Sequence, residues 1–197
     1  MTKLYIVRHG QTAYNAKKAW IGRTDAPLDE TGVLQAQKLA DRLADVNFEA
    51  IYTSPLTRAV NTAEPIAAMH RNVNLIMNYG LAERDFGEWE CKTREEIAKS
   101  CPEAFNREND SWFYEDAPGG ESMAQLYQRS AETADKIISQ HKNGEILAVT
   151  HHLAAKCIIA HLLGLPPVSC DKFFLANAGI AVIEYSDGQG TLRGLNI

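Results

Sequence analysis

Residues 3–15 read KLYIVRHGQTAYN, a short apolar run that stops at Arg8 and His9 and is followed at once by Gly10. An apolar run without alternation is how a strand buried on both faces reads, and such strands belong to parallel sheets. Residues 50–53 (AIYT), 74–77 (NLIM) and 145–149 (EILAV) have the same character. Helical patterns separate them. The stretch TGVLQAQKLADRLADV places Val33, Ala36, Leu39, Ala40 and Leu43 on one helix face. Residues 56–69 read as a second helix that Pro65 should kink or shorten. TREE at 93–96 is a capping box that starts a third helix. Ser122 can cap a fourth, with Met123, Leu126, Tyr127, Ala134, Ile137 and Ile138 on one face, and HLAAKCIIAHLL forms a fifth, closed by Gly164 and Pro166. The end of the chain reads as a hairpin turning at residues 187–190. This order predicts an α/β fold: a three-layer α/β/α sandwich with a mostly parallel central sheet and an antiparallel C-terminal edge hairpin, as one domain over residues 1–197.

With 197 residues, 45% of them hydrophobic, the chain can bury a substantial core. A net charge of -5 argues against a polyanion-binding surface, so no nucleic-acid partner is expected. No apolar run has the ~20 residues needed to cross a bilayer, and residues 4–7 are too short for the apolar part of a signal peptide. No membrane association and a cytoplasmic location follow as expectations. Cys91, Cys101, Cys157 and Cys170 have no C-x-x-C spacing, which favours free thiols over a zinc or redox site. Cys101-x5-Arg107 has the bare spacing of a cysteine phosphatase loop, but its PEAFN interior lacks glycine and places Glu103 where an anion would sit. The aromatic-rich stretch 81–118, with Trp89, Trp112, Phe113 and Tyr114, is read as local core in preference to a pocket wall.

In open α/β sheets ligands bind beyond the carboxyl ends of the strands. The first strand ends in Arg8-His9-Gly10, the second runs through Ser54-Pro55 into a helix whose first turn holds Arg58, and the fourth ends in Thr150-His151-His152. Two arginines and two histidines thus converge on one edge. Guanidinium forks match phosphate oxygens, and Asn15 can add an uncharged donor. An imidazole among cations resists protonation, so His9 is expected to stay neutral and nucleophilic, with His151 donating to oxygens on which charge builds. A lone Arg-His pair at a strand end is more often structural. The matching placement of Arg58 and His151 after two other strands is what such a pair does not explain. His70, His141 and His161 have no such company and read as ordinary.

LYIVRHGQTAYN, GRTDAPLDETG, IYTSPLTRAVNTA, LAERDFGEWE, PGGES and AVTHH, in that order over nearly the whole chain, resemble the motifs of the histidine phosphatase superfamily, phosphoglycerate mutase-like branch. The resemblance implies that His9 is transiently phosphorylated and that Arg8, Arg58 and His151 complete the phosphate pocket. It further implies that Asn15 and Gly22 lie at the substrate and that Glu83 is the proton donor to the leaving alcohol. Two departures stand out. His152 follows the second histidine where a small residue is usual, which narrows the pocket or brings a second imidazole to the substrate, and Cys91 replaces a common glycine in a turn. The short chain and the ERDFGEWE and PGGES segments are closer to the phosphatases, including the α-ribazole-5'-phosphate phosphatases, than to the longer glycolytic mutases.

The expected activity is therefore hydrolysis of a small phosphorylated metabolite through a phosphohistidine, with α-ribazole 5'-phosphate as one candidate. A cofactor-dependent phosphoglycerate mutase and a non-catalytic phospholigand-binding module are the alternatives. The arginines supply the positive charge a metal would bring, and Asp25, Asp29, His151 and His152 form no recognisable ligand set, so neither metal nor cofactor is expected. Homodimerisation is left open.

Overall fold

In the computed structural model, which describes residues 1–102 and 116–197, the first apolar run forms β1 (Thr2–Arg8), two residues longer at its start than the apolar core suggests. A four-residue helix α1 (Ala13–Ala16) follows, then α2 (Glu30–Leu43), β2 (Phe48–Thr53), α3 (Thr57–Met69) and β3 (Leu75–Met77). The second half supplies α4 (Arg94–Ser100), α5 (Met123–Gln140), β4 (Glu145–Thr150), α6 (His152–Leu162), β5 (Ile180–Ser186) and β6 (Gln189–Leu195). The six strands form one sheet in the order β3-β2-β4-β1-β5-β6. The four strands from β3 to β1 are parallel, and β5 and β6 are antiparallel, as the sequence predicts. The β5–β6 hairpin turns at Asp187 and Gly188, both with positive φ, the type I′ chemistry that an Asp-Gly pair supplies.

Side chains alternate across the sheet and fill two cores. Leu4, Ile6, Ala148 and Ile183 pack beneath α5 and α6, against Ile137, Ile158 and Ile159, whereas Val7, Ile51, Val149 and Val182 face α2 and α3 through Leu39, Leu43, Ala63 and Ile66. A third cluster lies away from the sheet, where Phe86, Trp89, Ile97, Leu126 and Leu153 pack together. Trp89 is therefore core, as expected. Trp112, Phe113, Tyr114 and the Arg107 end of the Cys101 spacing lie outside the described residues.

One helical expectation is corrected, and of the two outcomes open to Pro65 the shortening is absent. Val33 is exposed, because the inner face of α2 is turned toward Gly32. A Cβ on Gly32 would lie 2.1 Å from the Gln11 carbonyl, and one on Gly10 would lie 2.7 Å from the Gly32 carbonyl, so this pair of glycines lets the loop after β1 rest on the first turn of α2. Pro65 does not shorten α3, which continues to Met69. Its missing N–H would have bonded the carbonyl of the half-exposed Asn61, while buried Ala59, Ala63 and Ile66 hold the helix on either side of it. The capping predictions stand: Thr93 with Glu96 and Ser122 with Gln125 form capping boxes. Among the described residues no helix is long and apolar enough to cross a membrane.

Candidate active site

β1 and β4 are adjacent and in register, Arg8 opposite Thr150, with Thr53 of β2 opposite Val149 on the far side of β4. That register brings the three strand ends together. The His9 amide donates to the Thr150 carbonyl at 2.9 Å and the Ser54 amide to the Val149 carbonyl at 2.9 Å. The His9 and His151 rings lie 5.1 Å apart between centroids.

His9 is 3% exposed, and its Nδ1 lies 2.6 Å from the Gly10 carbonyl oxygen. A carbonyl only accepts, so Nδ1 carries the proton and Nε2 keeps the lone pair. Burial, then the charges of Arg58 and Arg8, push the His9 pKa well below 6.5 and keep the ring neutral. The same causes, burial first and then Arg58, lower His151, whose Nε2 lies 2.7 Å from Ser54 Oγ. Arg58 is fully buried; its Nη1 donates to the Thr24 carbonyl at 3.0 Å and its Nη2 to the Gly22 carbonyl at 2.6 Å. Arg8 donates from Nη1 to the Leu175 carbonyl at 2.9 Å, and burial lowers its pKa to about 10, which leaves it cationic at neutral pH. The Nε atoms of Arg8 and Arg58 and Nδ1 of His151 are buried without a hydrogen-bond partner. Unpaired buried polar atoms are costly, and two guanidinium Nε–H donors beside an unpartnered imidazole nitrogen at one strand edge describe a place suited to an anion.

Above this cradle opens a cavity of about 290 Å³. Arg8, His9, Asn15, Glu83 and His152 are its polar lining, and Ala19, Trp20, Ile21, Phe86, Leu153 and Phe174 its apolar wall. Asn15 accepts through Oδ1 from Thr12 N, Thr12 Oγ1 and Asn177 Nδ2, each at 3.1 Å, which leaves its Nδ2 as an available donor. Glu83 is 4% exposed and accepts from three backbone amides: Arg84 at 2.9 Å, Leu153 at 3.1 Å and Ala154 at 3.2 Å. The last two belong to the first turn of α6, so the carboxyl sits on a helix N-terminus. Arg129 of α5 fixes the backbone under Glu83 through the Gly80 and Ala82 carbonyls, both at 2.9 Å, and pairs with Glu121 at 2.8 Å.

The structure thus gathers Arg8, His9, Asn15, Glu83 and His152 in the cavity and Arg58 and His151 beside it. Gly22 does not line the cavity. It is a structural pivot: a Cβ there would lie 1.9 Å from the Arg84 carbonyl, and its own carbonyl holds Arg58. Asp25 and Asp29 serve helix ends, accepting from Thr57 N and Gly32 N at 2.8 Å each. Cys91 takes φ +63°, a conformation glycine adopts without strain. His70, His141 and His161 bond Leu43 O, Glu49 and Asp135, away from the site. None of the four cysteines is in a disulfide, and Cys157 and Cys170, 13 positions apart, meet with sulfurs 3.8 Å apart.

Several supporting residues escape a sequence reading. Thr62 Oγ1 accepts from Gly10 N at 2.9 Å and donates to the Arg58 carbonyl at 2.7 Å. Asn177 Nδ2 holds the His9 and Gly10 carbonyls at 3.1 and 3.3 Å. Burial alone would raise the pKa of Glu90, but bonds from the Gly22, Phe86, Arg23 and Thr24 amides outweigh it and hold the pKa below its usual value. The Ser54-Pro55 turn is the one signal for Ser54; nothing local marks Asn177.

Residues 4–197 match the family described as the histidine phosphatase superfamily (branch 1). Phosphoserine phosphatase 1 of Hydrogenobacter thermophilus is 31% identical over 197 residues, 100% of this chain and 93% of its own. A probable phosphoglycerate mutase, GpmB, of Proteus mirabilis is 30% identical over 98% of this chain and 90% of its own. A putative alpha-ribazole-5'-P phosphatase from Escherichia coli superposes with a TM-score of 0.90 at 27% identity, over 100% of this chain and 96% of that one.

Proposed function

From its place in the histidine phosphatase superfamily (branch 1), to which the chain belongs, we propose that it hydrolyses a small phosphate monoester through a phosphohistidine at His9. One observation carries the reading. The His9 ring is locked with its Nδ1 proton on the Gly10 carbonyl, so the Nε2 lone pair is left to attack beside two arginines.

Arg8 and Arg58 hold the dianion while Nε2 attacks phosphorus in line with the ester oxygen. The P–O bond breaks, Glu83 delivers a proton to the departing alkoxide, and His151 donates to a phosphoryl oxygen. Water then attacks the phosphohistidine, Glu83 takes a proton from it, and phosphate leaves with the ring restored. In this scheme Asn15 adds a neutral donor to the phosphate, and Gly22 acts through Arg58.

The apolar wall of Trp20, Ile21, Phe86 and Phe174 supports a leaving alcohol with an aromatic or apolar part. α-Ribazole 5'-phosphate has that character. The test is phosphate release from a panel of α-ribazole phosphate, phosphoserine, sugar phosphates, nucleotides and 3-phosphoglycerate, with and without 2,3-bisphosphoglycerate. Hydrolysis should be fastest for the aromatic riboside. Isomerisation of 3-phosphoglycerate much faster than any hydrolysis would identify a mutase, and binding without turnover a phospholigand-binding module.

A further inference from the structure

We propose that Nε2 of His152 is a specificity-determining hydrogen-bond acceptor, selecting esters whose leaving alcohol carries a neutral hydroxyl or N–H donor close to the phosphate. The inference rests on the phosphatase reading above and names the alcohol that this site prefers.

Nδ1 of His152 lies 3.3 Å from the Leu175 carbonyl oxygen. Since a carbonyl only accepts, Nδ1 holds the proton of the neutral ring and Nε2 keeps its lone pair. Burial first, then Arg8 and Lys156, push the pKa to about 3, so the ring is neutral across the physiological range. The imidazole is set edge-on against Phe174, 5.8 Å between centroids, and it lines the cavity beside Arg8 and His9. Among the described residues Nε2 has no hydrogen-bond partner, yet it is not among the solvent-inaccessible unpaired atoms.

The place of this acceptor is set by the phosphate site itself. The Leu175 carbonyl that orients His152 also receives Arg8 Nη1 at 2.9 Å, so one backbone oxygen aligns both the phosphate-binding cation and the acceptor. The other polar groups of the lining do not duplicate it. Arg8 and Asn15 Nδ2 are donors, the His9 Nε2 lone pair is the nucleophile and is taken up by phosphorus, and Glu83 already accepts from three amides. The charge of the donor follows as well. Arg8 and Lys156, which keep a proton off Nε2, also oppose an ammonium there, so a neutral donor is preferred. With the apolar wall around it, the site suits an alcohol that is uncharged, hydroxylated near the ester and apolar beyond.

The experiment measures kcat/KM for benzimidazole riboside 5'-phosphate and for its 2',3'-dideoxy analogue, with wild type, His152→Asn and His152→Gln. The Asn amide still reaches the Leu175 carbonyl but has nothing at the Nε2 position, whereas the Gln side chain extends an acceptor there. Wild type should prefer the hydroxylated ester by about 5- to 15-fold, the effect of one well-placed hydrogen bond. Asn should bring that ratio close to one, and Gln should restore most of it. A wild-type ratio near one, or a ratio that survives in His152→Asn, overturns the proposal even if both esters are hydrolysed well. If wild type releases phosphate from neither riboside nor 4-nitrophenyl phosphate, the phosphatase reading falls and this proposal with it.

Discussion

The floor and the wall of the cavity are built by different means. On the floor, His9, Arg58 and His151 are at most 3% exposed, stand at strand ends or in a first helical turn, and are held by backbone carbonyls or a buried serine. On the wall, Trp20 and His152 are half-buried, Phe174 is 64% exposed, and these residues come from loops and a helix start. Strand register places the floor, so its geometry is set before any ligand arrives. Strand register does not place the wall, whose His152 is tied to the floor through the Leu175 carbonyl it shares with Arg8, and under the proposal above substrates are told apart there.

The largest effect that would sharpen this contrast lies at Glu83. Glu83→Gln is close in volume but carries no transferable proton, and with its Oε1 kept toward Arg84 and Ala154 it gives up only the bond from the Leu153 amide, so hydrolysis of alkyl phosphates should fall about 100- to 10,000-fold. A 4-nitrophenolate leaves without help, and its phosphoenzyme should form at a rate much closer to that of wild type. Equal losses for both esters in pre-steady-state assays would remove Glu83 as the acid.

Stability against pH should report the buried histidines. His9 and His151 are held well below 6.5 and His152 at about 3, whereas histidines of the unfolded chain titrate near 6.5. Below that pH the unfolded chain binds more protons, so stability is fully present above about pH 6.5 and falls as pH drops, by up to about 1.4 kcal/mol per pH unit for each ring. His152→Asn should remove about a third of that histidine slope. Urea unfolding midpoints between pH 7.5 and 5 measure it, and a flat profile would contradict burial of neutral imidazoles.

The smallest effect belongs to the wall. Phe174→Ala should raise KM for an aromatic riboside 5'-phosphate about 3- to 10-fold, because one exposed ring covers the alcohol and braces His152. A loss dominated by kcat would place Phe174 with the floor.

How much was legible follows the same division. Apolar runs mark strands, and ligands lie past strand ends, so Arg8, His9, Arg58 and His151 were readable from the chain. Glu83 was not, since its partners are α6 amides about seventy residues later; family resemblance alone singled it out. Thr62, Asn177 and Glu90 escaped because they bind backbone atoms of distant segments, a contact that leaves no periodicity or spacing. For Gly22 the resemblance implies a place at the substrate, and the fold adds what no pattern carries, a carbonyl that accepts from Arg58. Val33 was misplaced because the glycine pair, and not the apolar count, sets the rotation of α2.

The central claim is covalent catalysis at His9, and rapid-quench mass spectrometry during turnover of a hydrolysed ester tests it most directly. One phosphate, stable in alkali and lost in acid, should appear on the peptide containing His9, and it should be absent from a folded His9→Ala variant that no longer turns over. Steady phosphate release with no label on His9, or from the His9→Ala variant at near wild-type rate, would contradict it.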